Sequence, residues 1–490
     1  MNKTSLAVAA VAVTGVSLAL SALGQTGDNK LGTVHFETSC KPEAQKLFDR
    51  GMLYQHSFWY RASQKTFEDV LKADPECAIA YWGIALSLLN NPHAPPPVGN
   101  LPLGLAAIEK AKAVGAKTQR ERDFINAMSA FYTDFDKVDH RTRVLAYLKA
   151  MEGVAQAYPN DDEAQILYAI ELNVAAPPSD KTYAMQLKGA AILEPIFQRQ
   201  PRHPGVAHYL IHLYDTPALA EKGLDAAKRY SQIAPAAPHA QHMPSHIFTR
   251  VGYWKESIGS NADAARSAKA SNEAHDELHA MDYLVYAYLQ LGRYDDAHHI
   301  LDQLKEMQGL GMSDFKVGYA ATAMPVRYAV ERHQWGETAG IKPDPSSPPH
   351  VAAIAVWAHA LGLVRGRHPA DASAELAALA GYEDQLHRLG NEYWAAQTSV
   401  LRQEILAWSS QVNSKPAEAE SQMRTAADQE DAMEKLPVTP GPIVPAREQL
   451  GELLLQQHRP AEAAEAFKAS LVNSPNRKSG TDGLRVAQQK

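Results

Sequence analysis

The sequence predicts an all-α protein, an array of short helices joined by tight turns. Strand signals are sparse. Alanine, leucine, glutamate and lysine dominate, and apolar residues recur three and four positions apart, the period of a helix with one buried face. The interruptions are short and carry Pro, Gly, Asn or Asp, as in NNPHAPPP, AAPPSD and KPDPSSPP. A long helical chain broken at short intervals calls for a search for a repeat.

The first 24 residues read as a secretory signal peptide. Lys3 supplies the positive start, Leu6 to Leu20 is apolar and uncharged, and Ala22 and Gly24 are small residues spaced for cleavage near Gly24–Gln25. The apolar run is short for a helical span of about 20 residues. No cysteine follows it, which argues against a lipid-anchored form, and no later segment is apolar enough to span a bilayer. After cleavage the chain is therefore expected to be exported and free of membrane spans. Residues 25–40 make a short N-terminal segment. The mature chain holds two cysteines, Cys40 and Cys77. In an oxidising compartment they are expected to join, against the alternative of two separately buried thiols.

The composition is 45% hydrophobic and 21% charged, which suits a folded soluble protein. The formal net charge of -7 shows no basic excess, so nucleic acid is not an expected partner. No polybasic run points to an anionic membrane surface.

Along the chain the helices come in pairs. GMLYQHSFWYRASQKTFEDVLKADP carries Gly51, Tyr54, Phe67 and Pro75, and AIAYWGIALSLL follows as the next first helix. RERDFINAMSAFY and DDEAQILYAIEL read as degenerate helices of the same type. MDYLVYAYLQLGRYDDAHHIL has Leu291 to Tyr294 as its turn and Ala297 opening the second helix. The last unit begins at Arg447: Leu450, Gly451 and Leu454 lie on its first helix, His458 to Pro460 make the turn, Ala463, Ala464 and Phe467 lie on the second helix, and Pro475 ends it. These units resemble the tetratricopeptide repeat, a helix–turn–helix unit of about 34 residues. The resemblance spans 41–310 with a histidine-rich centre, continues as degenerate repeats over 311–440, and returns in a C-terminal unit and tail over 441–490. It is weakest over 99–200 and 310–440. It implies a right-handed superhelix whose first helices line a concave groove. The expected function of such a groove is to hold a peptide or protein segment.

The centre of the array is rich in histidine, in HYLIHLYD and APHAQHMPSHIF. These stretches also resemble those of exported bacterial repeat proteins without an assigned function, which points to the bacterial periplasm or the extracellular space. With turns at Ala218, Gly252 and Gly292, an aromatic stands four residues before each: Tyr214, Phe248 and Tyr288. Six before stand His212, His246 and Tyr286; ten before, His208, His242 and Asp282; thirteen before, Gly205, His239 and His279. Asp215 lies three before the first turn. By the resemblance these offsets face the groove, and their spacing of three and four puts them on one helical face. The pair His208 and His212 returns 34 residues later as His242 and His246. Adjacent first helices, about 8 to 10 Å apart, would then present matching imidazole pairs.

Histidines at i and i+4 suit a shared metal ion, and Asp215, Asp282, His239 and His279 extend the donor set. Imidazole and carboxylate suit zinc, iron, copper or nickel. The expected protein is thus a peptide-binding scaffold with a divalent-metal site in its groove. Pro244 within HMPSHIF bends the helix or marks its start. Two rival readings stay open. In one the site is a metalloenzyme, with Tyr214 or Tyr286 assisting proton transfer. In the other the histidines only hydrogen-bond across repeats. The chain lacks GxSxG, HExxH, CxxCH and a glycine-rich phosphate loop, so no motif supports a serine hydrolase, a zincin, a c-type haem protein or a nucleotide site.

Overall fold

The computed structural model describes residues 30–366, 370–436 and 438–489. The signal-peptide expectation falls on residues outside these. The fold is all-α: helices follow one another in pairs, and no strand occurs among the described residues. None of the described helices is long and apolar enough to cross a membrane.

The first repeat shows how the sequence builds the unit. Helix Pro42–His56 opens on a proline, whose missing N–H matters least in the first turn. Phe58 takes a left-handed backbone at φ 54° and turns the chain into helix Tyr60–Ala73. That helix buries Ser63, Thr66, Phe67 and Val70, a single stripe at helical spacing. Phe67 is the wedge of the repeat. A Cβ at Gly51 would lie 2.7 Å from its ring, and so would one at Gly83 on the next first helix, Ala78–Leu88. Only glycine lets three helices close on one phenyl ring. The last repeat uses the same device, with Phe467 against Gly451 and Gly483.

The regions where the repeat pattern is weak in sequence are still paired helices. Gln119–Tyr132 stands with His140–Ala157, Asp162–Ala175 with Ala184–Arg199, and Glu392–Val412 with Pro416–Asp431. Two of the helices carry internal prolines, Pro195 and Pro325. After Phe315–Glu331 a 3-10 turn, Trp335–Gly340, takes the place of a second helix.

The N-terminal segment caps the array. Ser39 donates from its N and Oγ to Glu121 at 2.8 and 2.7 Å, and Phe36 packs among Phe48, Trp82 and Phe124. Cys40 and Cys77 are joined across it, with Cα atoms 5.0 Å apart and a sequence separation of 37. Each lies just before a first helix, Pro42–His56 and Ala78–Leu88, so the bond ties the end repeat to its one neighbour. Replacing both cysteines by serine is expected to lower the unfolding free energy by about 2 to 4 kcal/mol. Denaturant melts of the oxidised protein check this, and an unchanged midpoint would refute it.

The array bends back on itself. The Trp254 indole donates to the Asn476 carbonyl at 2.9 Å, and the Lys478 amide donates to the Gln290 side chain at 3.0 Å. The connection between Pro416–Asp431 and Ala446–Gln456 crosses the middle of the molecule. Its Glu434 amide donates to the Pro178 carbonyl at 2.9 Å, and Arg327 donates to the carbonyls of Gly441 and Pro442.

Candidate metal centre

Two successive repeats, with the start of a third, supply the histidines. Helix Pro204–Tyr214 carries His208 and His212 one turn apart. Pro204 opens it, and the His203 ring caps it by accepting from the Val206 amide at 3.3 Å. In the next repeat Pro244 splits the first helix into Pro238–His242 and Pro244–Arg250. Met243 between them keeps a right-handed helical backbone, so His239, His242 and His246 still share a face. His279 comes from the first turns of Ala274–Gln290.

The structure sorts these side chains into two trios. His208, His212 and His239 offer nitrogen atoms that all lie within 4.8 Å of one another, and so do His242, His246 and His279. The two i, i+4 pairs therefore each find a different third histidine. The trios are neighbours: the His212 and His246 rings are 6.1 Å apart, as are those of His239 and His242.

Hydrogen bonds to one ring nitrogen fix the role of the other. The Asn261 amide nitrogen donates to the Ser257 carbonyl at 2.8 Å, which turns its oxygen toward His242. His242 Nδ1 lies 2.6 Å from that oxygen and so carries the proton. His246 Nδ1 donates to Asp215 Oδ2 at 2.9 Å. Both Nε2 atoms are then bare lone pairs, yet they face each other at 2.9 Å. In the other trio His208 Nδ1 donates to the His56 carbonyl at 2.7 Å, and its bare Nε2 lies 3.1 Å from His212 Nε2. His212 Nδ1 and His239 Nε2 are buried without a hydrogen-bond partner.

The cluster is closed from solvent, so the expectation of an open groove face does not hold here. All eight predicted His and Asp side chains are buried. Phe58 from the first repeat packs on His208, His212 and His239. His93, on the NNPHAPPP loop, lies 4.5 Å from the His212 ring. Tyr283 packs on His242, His246 and His279 and donates to the Thr439 carbonyl of the crossing connection. Burial pushes His208 down to about 3 and His93 to about 4, and it pushes His212, His239, His242 and His279 well below the ordinary imidazole range. These rings are neutral, the state a metal ligand requires.

The two predicted carboxylates stand behind the rings. Asp215 holds His246 by the nitrogen that points away from the trio, and it accepts from Arg250 at 2.8 Å and Lys435 at 3.2 Å. Burial favours its neutral form, but Lys435, Arg250 and His246 outweigh that and keep it ionised. Such a partner orients a ligand and fixes its tautomer. Asp282 is instead paired with Arg327 at 3.0 Å. The tyrosines are also elsewhere: Tyr214 bonds to Glu194, and the Tyr286 hydroxyl accepts from Arg477 at 2.9 Å. Neither hydroxyl is placed to serve the trios, because each is committed to a charged partner on another side of its helix.

Sequence reasoning did not find Asn261, Lys435, Arg250 or His93, whose roles depend on contacts between distant segments. It also left out a third group. Glu163 accepts from His56 at 3.0 Å and from His203 at 2.7 Å, and His56 meets the Tyr209 hydroxyl at 3.0 Å. Here every nitrogen has a complementary partner, and a carboxylate stands where the other trios have only imidazoles. A Cβ at Gly205 would lie 2.4 Å from His56 Nδ1, which is why that offset holds glycine where the next two repeats hold His239 and His279.

A tetratricopeptide-repeat family model matches residues 53–115 and 406–478. None of the curated proteins compared matches the sequence. Among solved structures, the APC/C hetero-tetramer Cut9–Hcn1 is similar at 14% identity and a TM-score of 0.36, over 96% of this chain and 80% of that one. Yeast Tom70 is similar at 9% identity and a TM-score of 0.36, over 90% and 87%. The human IFIT1 dimer with m7Gppp-AAAA is similar at 14% identity and a TM-score of 0.37, over 78% and 81%. Likenesses of this order carry no functional argument. Tetratricopeptide repeats thus stand at both ends of the array, with paired helices through most of the chain between them.

Proposed function

We propose that the protein is an exported repeat scaffold whose functional centre is a buried histidine cluster binding a late first-row transition metal. One observation carries the reading: His242 and His246 turn bare Nε2 lone pairs toward each other at 2.9 Å. Two acceptors at that distance repel unless a cation joins them. A metal ion bound at about 2.0 to 2.1 Å from each nitrogen would see them about 90° apart. A shared proton is the other way to join them, and burial works against it by lowering both rings.

Export is part of the proposal. Its support is the leader pattern up to Gly24 and the Cys40–Cys77 bond, which suits an oxidising compartment. Tetratricopeptide repeats generally bind protein or peptide segments. In this chain the connection after Asp431 lies over the histidine face, so a peptide partner is proposed for the faces outside the cluster.

Protein purified without a His tag tests the metal reading by elemental analysis. The wild type is expected to hold bound metal, and His242→Ala and His246→Ala to lose the ion that this pair holds. His298→Ala and His299→Ala should change nothing. Bound metal should also raise stability by about 2.7 kcal/mol at a hundredfold excess over the dissociation constant. A metal-free wild type whose melting temperature ignores added copper, zinc and nickel would overturn the proposal and leave the proton-bridged pair.

A further inference from the structure

Resting on that reading, the geometry points to a second ion: we infer that the chain builds a two-copper centre, with His208, His212 and His239 on one ion and His242, His246 and His279 on the other. The repeat itself supports this. Each trio takes the residues six and ten before one turn and the residue thirteen before the next turn. The second site is the first one carried forward by one repeat. The two share no side chain, so filling one does not consume the other.

The first trio has its own unmet bonding. His208 Nδ1 is committed to the His56 carbonyl, so its Nε2 is a bare acceptor 3.1 Å from His212 Nε2. If His212 donates there, its buried Nδ1 and the buried His239 Nε2 still lack partners. One ion among the three rings would instead take the lone pairs of His208 Nε2, His239 Nε2 and one His212 nitrogen. The His56–Glu163–His203 group is the internal contrast. It has equal ligand spacing but complete hydrogen bonding, and it needs no ion.

The donor set selects the metal. Six imidazoles suit zinc, copper, iron and nickel, and among the divalent ions copper heads the affinity order. Neutral ligands bring no compensating charge into a buried site, and the nearby Asp215 already pairs with Arg250 and Lys435. Two divalent ions would leave most of four positive charges uncompensated, whereas two cuprous ions leave two.

The test loads the untagged full chain with Cu(I) under ascorbate without oxygen, then strips loosely held metal with a Cu(I) chelator. Copper per chain is measured for the wild type, His239→Ala, His279→Ala and the double variant. The expected counts are two, one, one and none. His→Asn variants at the same positions, with circular dichroism on each, separate ligand loss from misfolding. One copper in the wild type, lost in either single variant, means a single shared ion; that overturns the pair and leaves the metal-binding proposal standing. Two coppers that persist in both single variants place the ions elsewhere and overturn the assignment. No copper, with zinc bound instead, overturns the choice of metal, and no metal of any kind overturns both proposals.

Discussion

Replacing Arg477 by alanine is expected to lower the unfolding free energy by about 3 to 5 kcal/mol, the cost of breaking a buried ion pair from one side. The guanidinium is fully buried where the C-terminal repeat meets the centre of the array. It donates to Glu448 at 2.9 Å, to Glu331 at 2.8 Å and to the Tyr286 hydroxyl at 2.9 Å. Without it, two buried carboxylates face each other with no cation between them. The loss should depend on pH. Burial raises Glu448 to about 7 from 4.5, even with Arg477 pulling it down. Its proton therefore stabilises the fold fully below 4.5, and that stability is lost as pH rises through 7. Removing Arg477 moves the upper edge of this window higher, so the variant's deficit should widen from about pH 6 to about pH 9. Denaturant melts at the two values measure it. A deficit below about 1 kcal/mol at both would show that the pair is solvated in solution.

The same contact shows what sequence could and could not give. The helix pairs were legible because their causes are local. Phe67 and Phe467 need glycines at a fixed distance on either side, and Gly252 and Gly292 mark turns that require a left-handed backbone. The weakly patterned stretches 99–200 and 310–440 still form pairs, because burial of one stripe per helix needs less than a full repeat motif. The bending back of the array was not legible. It depends on Asn476, Arg477 and Lys478 reaching residues some two hundred positions away, and no period in the sequence records that.

The candidate centre was legible in its membership and not in its grouping. All six histidines of the trios follow from the offsets six, ten and thirteen before a turn. Which rings converge depends on how far the next helix advances along the stack. That geometry sends His239 to the first pair and His279 to the second. The carboxylates were misplaced for a related reason. Asp215 and Asp282 sit near the right faces, but each has a buried arginine within reach, Arg250 and Arg327, which fixes its direction. The closure of the site was hidden as well. Its cover comes from Phe58, from His93 and from the connection beyond Asp431.

Arg327→Ala should release that connection and destabilise the fold by about 3 to 5 kcal/mol. Arg327 is fully buried and reaches in four directions. It holds Asp282 at 3.0 Å, the carbonyls of Pro442 and Gly441 at 2.9 and 3.1 Å, and the Tyr319 hydroxyl at 3.4 Å. The two carbonyls are the link between the central repeats and the segment that covers the second histidine trio. Removing the guanidinium leaves Asp282 buried opposite no cation, and it leaves two carbonyl groups without their donor. The first loss lowers global stability. The second loosens the connection locally, since its other ties to the cluster are few: Lys435 to Asp215, Glu434 to Arg250, and Tyr283 to the Thr439 carbonyl. Brief proteolysis of the native variant should therefore cut between Met433 and Thr439 well before the helices, at a dose that leaves the wild type whole. Arg327→Lys should recover part of the stability by keeping a charge near Asp282, but it cannot hold both carbonyls and should remain protease-sensitive. If Arg327→Ala melts earlier but resists cutting in this segment, the arginine supports only the core around Asp282, and the cover over the histidines is held by the segment's other ties, those of Glu434, Lys435, Leu436 and Thr439.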